Sequence, residues 1–566
     1  MRTSTAWYKI VIFLALLILG VSSTSQARSY YVDAKTGDDG AKGTKAAPWK
    51  TVTKVNEATL QPGSIVHFRA GRSYGAEVLV PRSGTDGTPI IYTSYGKGAK
   101  PTLAGINAAG RSYLTVSGLS LKAAATLVNL ASASYVTVDN CKIECNAPDW
   151  TPAINIVSNA HHNRITNNSI GQSEGRNDSI NLRGNANYNL IEGNKITISG
   201  IHCAIGLEGH TGGGTADYNI IRNNVITGRK GGGTLIGVQA NSNHNLIEGN
   251  VLSGDSTMSE FCGTNLHARH QTMLKVVSMN NIVRNNIVRN YPCKDSLGLD
   301  MGAYHYRGFN NIASGNHVYN NVITGVSVGG TPLFVGENGT GGKSINNTFK
   351  NNIIFNNGGT WYQTKKDGDW PVASKNQQMR VQVSLNVRDN LFSNNIFYKS
   401  DVKRIMWVND AYYTVEQVQQ GNKKLYKGNL QTDPLLDPKS LRPRSGSPVK
   451  DAGANLTTIT TPSGSGTNIT VDDAFYFSDG WGLITGDTVQ INNQQATIKA
   501  IDYVSNTLTL ASPVSWSQGD TVNLPYHGAA PDIGVFEIGL NHPTLVHTDE
   551  VGRIEGKADL RLRKPD

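Results

Sequence analysis

Apolar and polar residues alternate along this chain in short runs that asparagine and glycine interrupt. Between residues 163 and 397 one phrase recurs: an asparagine, a short apolar pair, a second asparagine and another apolar pair, as in Asn189-Leu-Ile-Glu-Gly-Asn194-Lys-Ile196. Its copies are spaced 26 (189 − 163) to 43 (390 − 347) residues apart and begin at Asn163, Asn189, Asn219, Asn245, Asn281, Asn311, Asn347 and Asn390. Self-similarity at such a period predicts a solenoid of very short strands joined by tight turns.

Equivalent residues of a parallel coil stack about 4.8 Å apart. Asparagine side chains can then bond to the coils above and below, while Ile and Val fill a continuous interior. The pattern therefore predicts an all-β chain, a right-handed parallel β-helix, with a structural role for the asparagines.

The repeat also predicts how the chain is divided. Arg2 and Lys9 precede an apolar run, and small residues end at Ala27, which is typical of a secretory signal peptide. Alternating β sequence interrupts the closing coil near the C-terminus. We expect a signal peptide (1–27), a β-helix with an N-terminal head (28–455), an inserted small β-domain (456–526), a closing segment (527–540) and a flexible tail (541–566).

Cleavage near Ala27 would make the protein secreted or periplasmic, and no later stretch is apolar enough to span a membrane. The formal net charge is +10, or +8 (10 − 2) without Arg2 and Lys9. A basic exported protein suggests an acidic partner, although a generally basic surface of no specific use fits as well. The basic residues are dispersed, so we expect no nucleic-acid partner, and we expect a monomer.

The chain has five cysteines, and none of their spacings resembles a zinc site. Cys262 and Cys293 fall in loops on adjacent coils, so an exported protein could oxidise this pair.

The strands that precede the asparagine phrase predict a binding face. If their first and third residues point inward, the second and fourth point to solvent in columns. The second column holds glycine at three of five positions, which would leave a shallow trough. The aligned strands are Ile180-Asn-Leu-Arg183, Ile205-Gly-Leu-Glu208, Ile236-Gly-Val-Gln239, Leu274-Lys-Val-Val277 and Leu297-Gly-Leu-Asp300.

Such a trough suits β-elimination on an acidic polysaccharide, which requires a cation for the uronate carboxylate, a base for the C5 proton and an acid for the leaving oxygen. Lys275 is the candidate base, and Tyr304, His305 and Arg307 complete the predicted catalytic set. Ca²⁺ on Glu208 and Asp300 could supply the cation. The residues predicted to bind substrate are Arg183, His202, His210, His267, Arg269, His270 and Trp361.

Other interpretations of these residues stay open. Lys275 and Asp300 could form only an exposed ion pair worth under about 1 kcal/mol, and Trp361 could pack as a lid instead of stacking on a sugar. Glu208 and Asp300 are three coils apart, about 14 Å, which is too far for a glycosidase pair. Asp255, Glu260 or Asp295 could complete such a pair instead.

Parts of the sequence resemble a known group. Tyr31-Val-Asp-Ala-Lys-Thr-Gly-Asp-Asp39, Ala47-Pro-Trp-Lys-Thr51 and Thr88-Pro-Ile-Ile-Tyr-Thr-Ser-Tyr-Gly96 resemble the head of secreted bacterial right-handed β-helix proteins, among them polysaccharide lyases and some glycoside hydrolases. Residues 272–281 and 297–302 are loosely similar to the catalytic coils of β-helical alginate and chondroitin B lyases. That family has a lysine directly before a serine and an arginine on the next coil, but Val277 and Asp300 occupy those places here.

The resemblance implies the fold and the sugar-acting class, not the catalytic set. We therefore expect an exported polysaccharide lyase for a uronate-containing polymer. The alternatives are a glycoside hydrolase on the same scaffold, a C5-epimerase, or a non-catalytic glycan-binding surface or matrix protein.

Overall fold

The computed structural model describes residues 27–540, except for 148–149, 173–177, 201, 210–212, 230–232, 256, 258–270, 292–295, 307–308, 327–330, 339–341, 359–376, 401 and 410. Most of the predicted signal peptide, the predicted tail, Cys262 and Cys293 lie outside these residues. No helix in the described part of the chain is long and apolar enough to cross a membrane.

Three long sheets form the walls of the solenoid, and each rung (one turn of the coil) adds a strand to each wall. Sheet A is parallel throughout and consists of β1 Ser29–Val32, β2 Ile65–Arg69, β4 Ile90–Tyr95, β7 Ser112–Ser117, β10 Ser134–Asp139, β13 Arg164–Thr166, β16 Leu190–Glu192, β19 Ile220–Arg222, β22 Leu246–Glu248, β25 Ile282–Arg284, β30 His317–Tyr319, β34 Thr348–Lys350, β38 Leu391–Ser393 and β42 Tyr426–Lys427.

Sheet B is the second wall, and its strands are β5 Thr102–Leu103, β8 Ser120–Ala123, β11 Lys142–Cys145, β14 Ser169–Gln172, β17 Lys195–Ile198, β20 Val225–Gly228, β23 Val251–Gly254, β26 Ile287–Tyr291, β31 Val322–Val326, β35 Ile353–Phe355 and β39 Ile396–Tyr398. A smaller parallel sheet joins β29 Ile312–Ser314, β33 Lys343–Ile345 and β37 Val387–Arg388.

Sheet C is the third wall and carries the predicted trough. Its strands are β3 Val78–Leu79, β6 Gly105–Asn107, β9 Val128–Asn129, β12 Ile154–Val157, β15 Ile180–Arg183, β18 Cys203–Leu207, β21 Thr234–Val238, β24 Gln271–Val276, β27 Ser296–Tyr306, β32 Thr331–Asn338, β36 Met379–Val381 and β40 Met406–Val408, with β28 Phe309–Asn310 and β41 Ala411–Tyr413 added antiparallel.

A separate antiparallel sheet lies near the C-terminus, as the alternating sequence predicts. It contains β43 Thr457–Thr458, β44 Gly464–Thr470, β45 Thr488–Ile491, β46 Gln494–Asp502, β47 Thr507–Trp516 and β48 Thr521–Asn523. The predicted fold class, an all-β parallel β-helix with a small inserted β-domain, is therefore confirmed.

Helices contribute little to the fold. Helix α1 (Val52–Glu57) begins after Thr51, whose hydroxyl accepts the Lys54 N–H. Helix α2 (Val415–Gly421) begins with a capping box. Both bury two valines, and short 3₁₀ turns occur at Ala474–Tyr476 and Gly480–Gly482.

Buried asparagines form two ladders along the turns, as the repeated phrase predicts. At each step the backbone N–H and Nδ2 of one asparagine donate to Oδ1 of the next, for example from Asn194 to Asn224, both at 3.0 Å. The sixth predicted copy is wrong by five residues, because Asn281 donates to Asn316 and not to Asn311. The segment after Asn311 carries the same pattern but forms β29.

The interior of the solenoid is apolar, and both apolar and polar contacts attach the inserted domain to the outside of sheet A. Leu190, Ile220, Leu246 and Ile282 of sheet A pack against the domain's own core. The Arg284 guanidinium donates to both carboxylate oxygens of Asp487 on the domain, at 2.7 and 2.5 Å. The domain therefore covers sheet A, whereas the trough belongs to sheet C.

Candidate functional site

The floor of the trough has the predicted register over its first four rungs. Asn181 pairs with Gly206, Gly206 with Gly237, and Gly237 with Lys275. Both glycines are buried, and a side chain on either would meet atoms already there: Asp178 and Cys203 next to Gly206, and the Cys203 sulfur next to Gly237. The glycines therefore make room for Asp178 and Cys203, and Lys275 lies on the adjacent rung.

The predicted register is wrong at β27. Lys275 pairs with Asp300 and Leu274 with Leu299, so the strand is shifted by two residues from the predicted pairing of Leu274 with Leu297. Asp300 therefore continues the column of Lys275 instead of the column of Arg183 and Glu208. A shift of two residues preserves which side chains face inward, so the apolar pattern cannot reveal it.

Lys275 and Asp300 point outward but are nearly buried, at 9% and 5% exposure. The interpretation of an exposed ion pair is therefore wrong. The Gly302 N–H donates to Asp300 Oδ1 at 2.7 Å, and the Thr272 hydroxyl lies 3.5 Å from Oδ2. Burial outweighs the Lys275 cation and these hydrogen bonds, and it raises the pKa of Asp300 above its ordinary value.

A network of four charged groups lies at the other end of the glycine floor. His202 Nδ1 is 2.5 Å from Asp178 Oδ1. The Arg183 Nη2 group bridges Asp178 Oδ2 at 2.9 Å and Glu208 Oε2 at 2.8 Å. Gln239 Nε2 donates to Glu208 Oε1 at 2.9 Å. These contacts join three rungs into one wall of the trough.

The charged groups of this network stabilise one another although they are buried. The Asp178 carboxylate raises the pKa of His202 to about 9, because its attraction for the imidazolium ion exceeds the opposing effect of burial. Burial disfavours ionisation of Asp178, but His202 and Arg183 outweigh it and keep the pKa of this carboxyl below its ordinary value. With His202 protonated, the network holds two cations, His202 and Arg183, beside the carboxyl groups of Asp178 and Glu208.

The residues predicted to hold Ca²⁺ do not fit one ion. Glu208 ends the rung of β18 and Asp300 lies in β27, three rungs away, about 14 Å. Glu208 is bonded to the Arg183 guanidinium and to the amide group of Gln239, both hydrogen-bond donors. A cation bound by both carboxylates is therefore incompatible with this geometry.

Ligand atoms of Asp178, His202 and Cys203 lie within 4.8 Å of one another. This trio does not suit a metal either, because the Asp178 carboxylate already binds His202, Arg183 and the Cys203 N–H. Burial also raises the pKa of Cys203 well above its ordinary value, which keeps the sulfur as a thiol.

The structure thus brings together Arg183, His202 and Glu208 at one end of the trough and Lys275 with Asp300 at the other. Tyr304 and His305 lie in β27, but their side chains are outside the described part of the structure. The remaining predicted residues are also outside it, namely His210, His267, Arg269, His270, Arg307 and Trp361.

Sequence reasoning missed Asp178. It precedes β15 in the chain, and its two partners come from its own rung and from the next one, 24 residues later. The signal that could have found it is a carboxylate placed one repeat before a histidine at the same point of the turn.

The fold and this site define a parallel β-helix protein with a charged trough on one wall. No protein-family model matches the chain. A lacto-N-biosidase of Bifidobacterium longum subsp. longum is 32% identical over 135 residues, which is 22% of this chain and 8% of that protein. The chain therefore matches a small part of this relative.

Among solved structures, the GH136 lacto-N-biosidase from Eubacterium ramulus superposes with a TM-score of 0.41 and 17% identity, covering 67% of this chain and 65% of that one. The PL6 family alginate lyase AlyGC gives a TM-score of 0.41 and 16% identity, covering 70% and 57%. Pectate lyase Pel9A gives a TM-score of 0.34 and 13% identity, covering 92% and 97%.

Proposed function

We propose that this protein is an exported polysaccharide lyase that cleaves a uronate-containing polysaccharide in the trough of sheet C. The observation that carries the proposal is the position of Lys275, an amine directly beside the glycine floor at Gly237 and paired with Asp300 on the next rung. A sugar ring lying across the trough at the rung of Lys275 would have its C–H bonds next to this amine.

Lys275 acts as the base in this proposal. Once its ammonium group has lost a proton to solvent, the Lys275 amine takes the C5 proton, the electron pair of that C–H bond forms the C4–C5 double bond, and the C4–O glycosidic bond breaks. The leaving oxygen takes a proton from an acid, for which Tyr304 and His305 stay predictions. Asp300 orients the amine and, as a neighbouring anion, stabilises the ammonium ion that forms.

The spacing of carboxyl groups excludes Asp300 from a glycosidase pair with Glu208. Asp300 lies three rungs from Glu208, about 14 Å along the solenoid, whereas glycosidase pairs need roughly 5–9.5 Å. Asp178 and Glu208 are close together, because both bond to Arg183 Nη2, at 2.9 and 2.8 Å, so their spacing is compatible with hydrolysis. The second candidate, a glycoside hydrolase, is favoured by the 135-residue similarity to a lacto-N-biosidase.

The test is a panel of alginate, polygalacturonate and chondroitin sulfate, with laminarin and xylan as neutral controls. Ultraviolet absorbance of an unsaturated uronide and new reducing ends are measured together, with and without EDTA. Both signals on an acidic polymer support the lyase. Reducing ends without absorbance select the hydrolase, and binding without turnover leaves a glycan-binding protein. A loss of activity in EDTA would support the predicted Ca²⁺ at a place other than a shared Glu208–Asp300 site.

A further inference from the structure

One tryptophan beside the trough differs from the others in the described part of the chain. Trp150 is 60% exposed, whereas Trp49, Trp407 and Trp516 are buried at 6%, 3% and 9% and Trp481 is half-buried. Exposing a large apolar ring in water is unfavourable, and it is informative where the ring borders a polar concavity.

Contacts place this ring at the end of the trough that carries the charged network. Trp150 lies in the turn between β11 and β12, and its indole meets the His202 imidazole edge to face, with ring centroids 5.4 Å apart. His202 comes two rungs later, so the indole extends over the rung of Asp178. An edge-to-face contact covers at most one face of the indole, and the exposure of Trp150 means that much of the ring is open to solvent.

The backbone fixes where the ring points. Trp150 has a φ of 67°, in the left-handed region that bulky residues rarely adopt. Such a conformation persists where it serves to aim a side chain. His202, against which the ring rests, is itself held by Asp178 at 2.5 Å. The ring therefore has a defined position beside the floor at Gly206.

An open aromatic face next to fixed hydrogen-bonding groups matches the two sides of a pyranose. The ring C–H groups form an apolar face that stacks on indole, and the hydroxyl groups bond to charged or amide side chains at its edge. Arg183 and His202 supply such groups at this end of the trough, with side chains 24% and 27% exposed. Because both cations already lie beside carboxyl groups there, hydroxyl groups suit this place better than a second carboxylate.

We infer that Trp150 is the stacking platform of a sugar subsite at the Asn181–Gly206 end of the trough. The subsite holds a pyranose unit of the substrate about two rungs, roughly 10 Å, from Lys275. It binds a sugar of the same polymer chain other than the one that reacts. This deepens the proposed function, since the polymer crosses both places, but the binding itself requires no reaction.

The experiment measures binding of alginate, polygalacturonate, chondroitin sulfate and xylan by affinity electrophoresis. It compares the unaltered protein with Trp150→Ala, Trp150→Phe and Tyr135→Ala. Tyr135 is a matched control, because it is also an exposed aromatic (42%) but lies in sheet A. For the polymer that the unaltered protein binds, we expect Trp150→Ala to weaken binding about tenfold. Trp150→Phe should retain most of the original affinity, and Tyr135→Ala should leave the affinity unchanged.

Melting temperatures of the same proteins separate binding from a structural role, because Trp150 could merely shield the Asp178–His202 pair. The inference is overturned if Trp150→Ala and Trp150→Phe lower the melting temperature by the same amount and weaken polymer binding to the same extent. Unchanged binding by Trp150→Ala, or the absence of binding by any polymer to the unaltered protein, overturns it too. Retained binding without any turnover leaves this inference in place and refutes only the proposed lyase.

Discussion

The Asp178–His202 pair makes stability depend on pH in a direction that can be calculated. We predict that His202→Gln destabilises the protein most near pH 6 and loses this effect as pH rises to about 9.5. Glutamine keeps the size and a hydrogen bond but cannot carry the charge that Asp178 binds at 2.5 Å.

The magnitude follows from the rise in the pKa of His202 from 6.5 to about 9, caused by Asp178. At 1.36 kcal/mol per pKa unit the rise corresponds to on the order of 3 kcal/mol. Solvent screening reduces this to about 2 kcal/mol, because the side chain is 27% exposed. A pKa raised by folding stabilises fully below about pH 6.5, and the contribution is lost as pH rises through about 9.

The assay is the difference in melting temperature between the two proteins across this pH range. The difference should be large near pH 6 and small above about pH 9.5. In an Asp178→Asn background the same His202→Gln change should lose its pH dependence, because the partner charge is gone. A difference that stays constant from about pH 6 to 9.5 would refute the paired imidazolium.

Two further predictions concern the scaffold. Arg284→Met should cost about 3–5 kcal/mol of unfolding free energy, because Arg284 is 2% exposed and its loss leaves Asp487 without its cation and Glu248 with only Arg222, 3.8 Å away; an unchanged urea midpoint would contradict this docking of the inserted domain. Asn224→Ala removes bonds to Asn194, Asn250 and the Ile191 carbonyl and should cost about 3 kcal/mol; a change under about 1 kcal/mol in chemical denaturation would show that the ladder is not stabilising.

The β-helix was predictable because one short asparagine-containing pattern recurs along the chain. Each asparagine must bond to the next rung, so the spacing of asparagines reports the rungs directly. The exception is instructive: Asn311 and Asn316 both begin segments of the same pattern, and only the pairing of Asn281 with Asn316 distinguishes them. Local sequence cannot tell which of two neighbouring segments continues the asparagine ladder when both match the repeated pattern.

The candidate site was predictable only in part, because its contacts join different rungs. Lys275 and the glycine floor follow from strand periodicity. The two-residue shift at β27 leaves the inward pattern of Leu297, Leu299 and Met301 unchanged, so the position of Asp300 does not follow from it. Asp178 and Trp150 precede their strands in turns, where no periodicity tells which rung a side chain contacts.

The most direct test of the central claim, that Lys275 is the base of an elimination, is the activity of Lys275→Arg. Arginine keeps a cation beside Asp300 but does not lose its proton in proteins. On the polymer selected by the panel we predict that absorbance from unsaturated product falls at least about a hundredfold, with the melting temperature retained, whereas Lys195→Ala, at an exposed lysine of sheet B, stays fully active. A folded Lys275→Arg protein that forms unsaturated product at the original rate would contradict the claim.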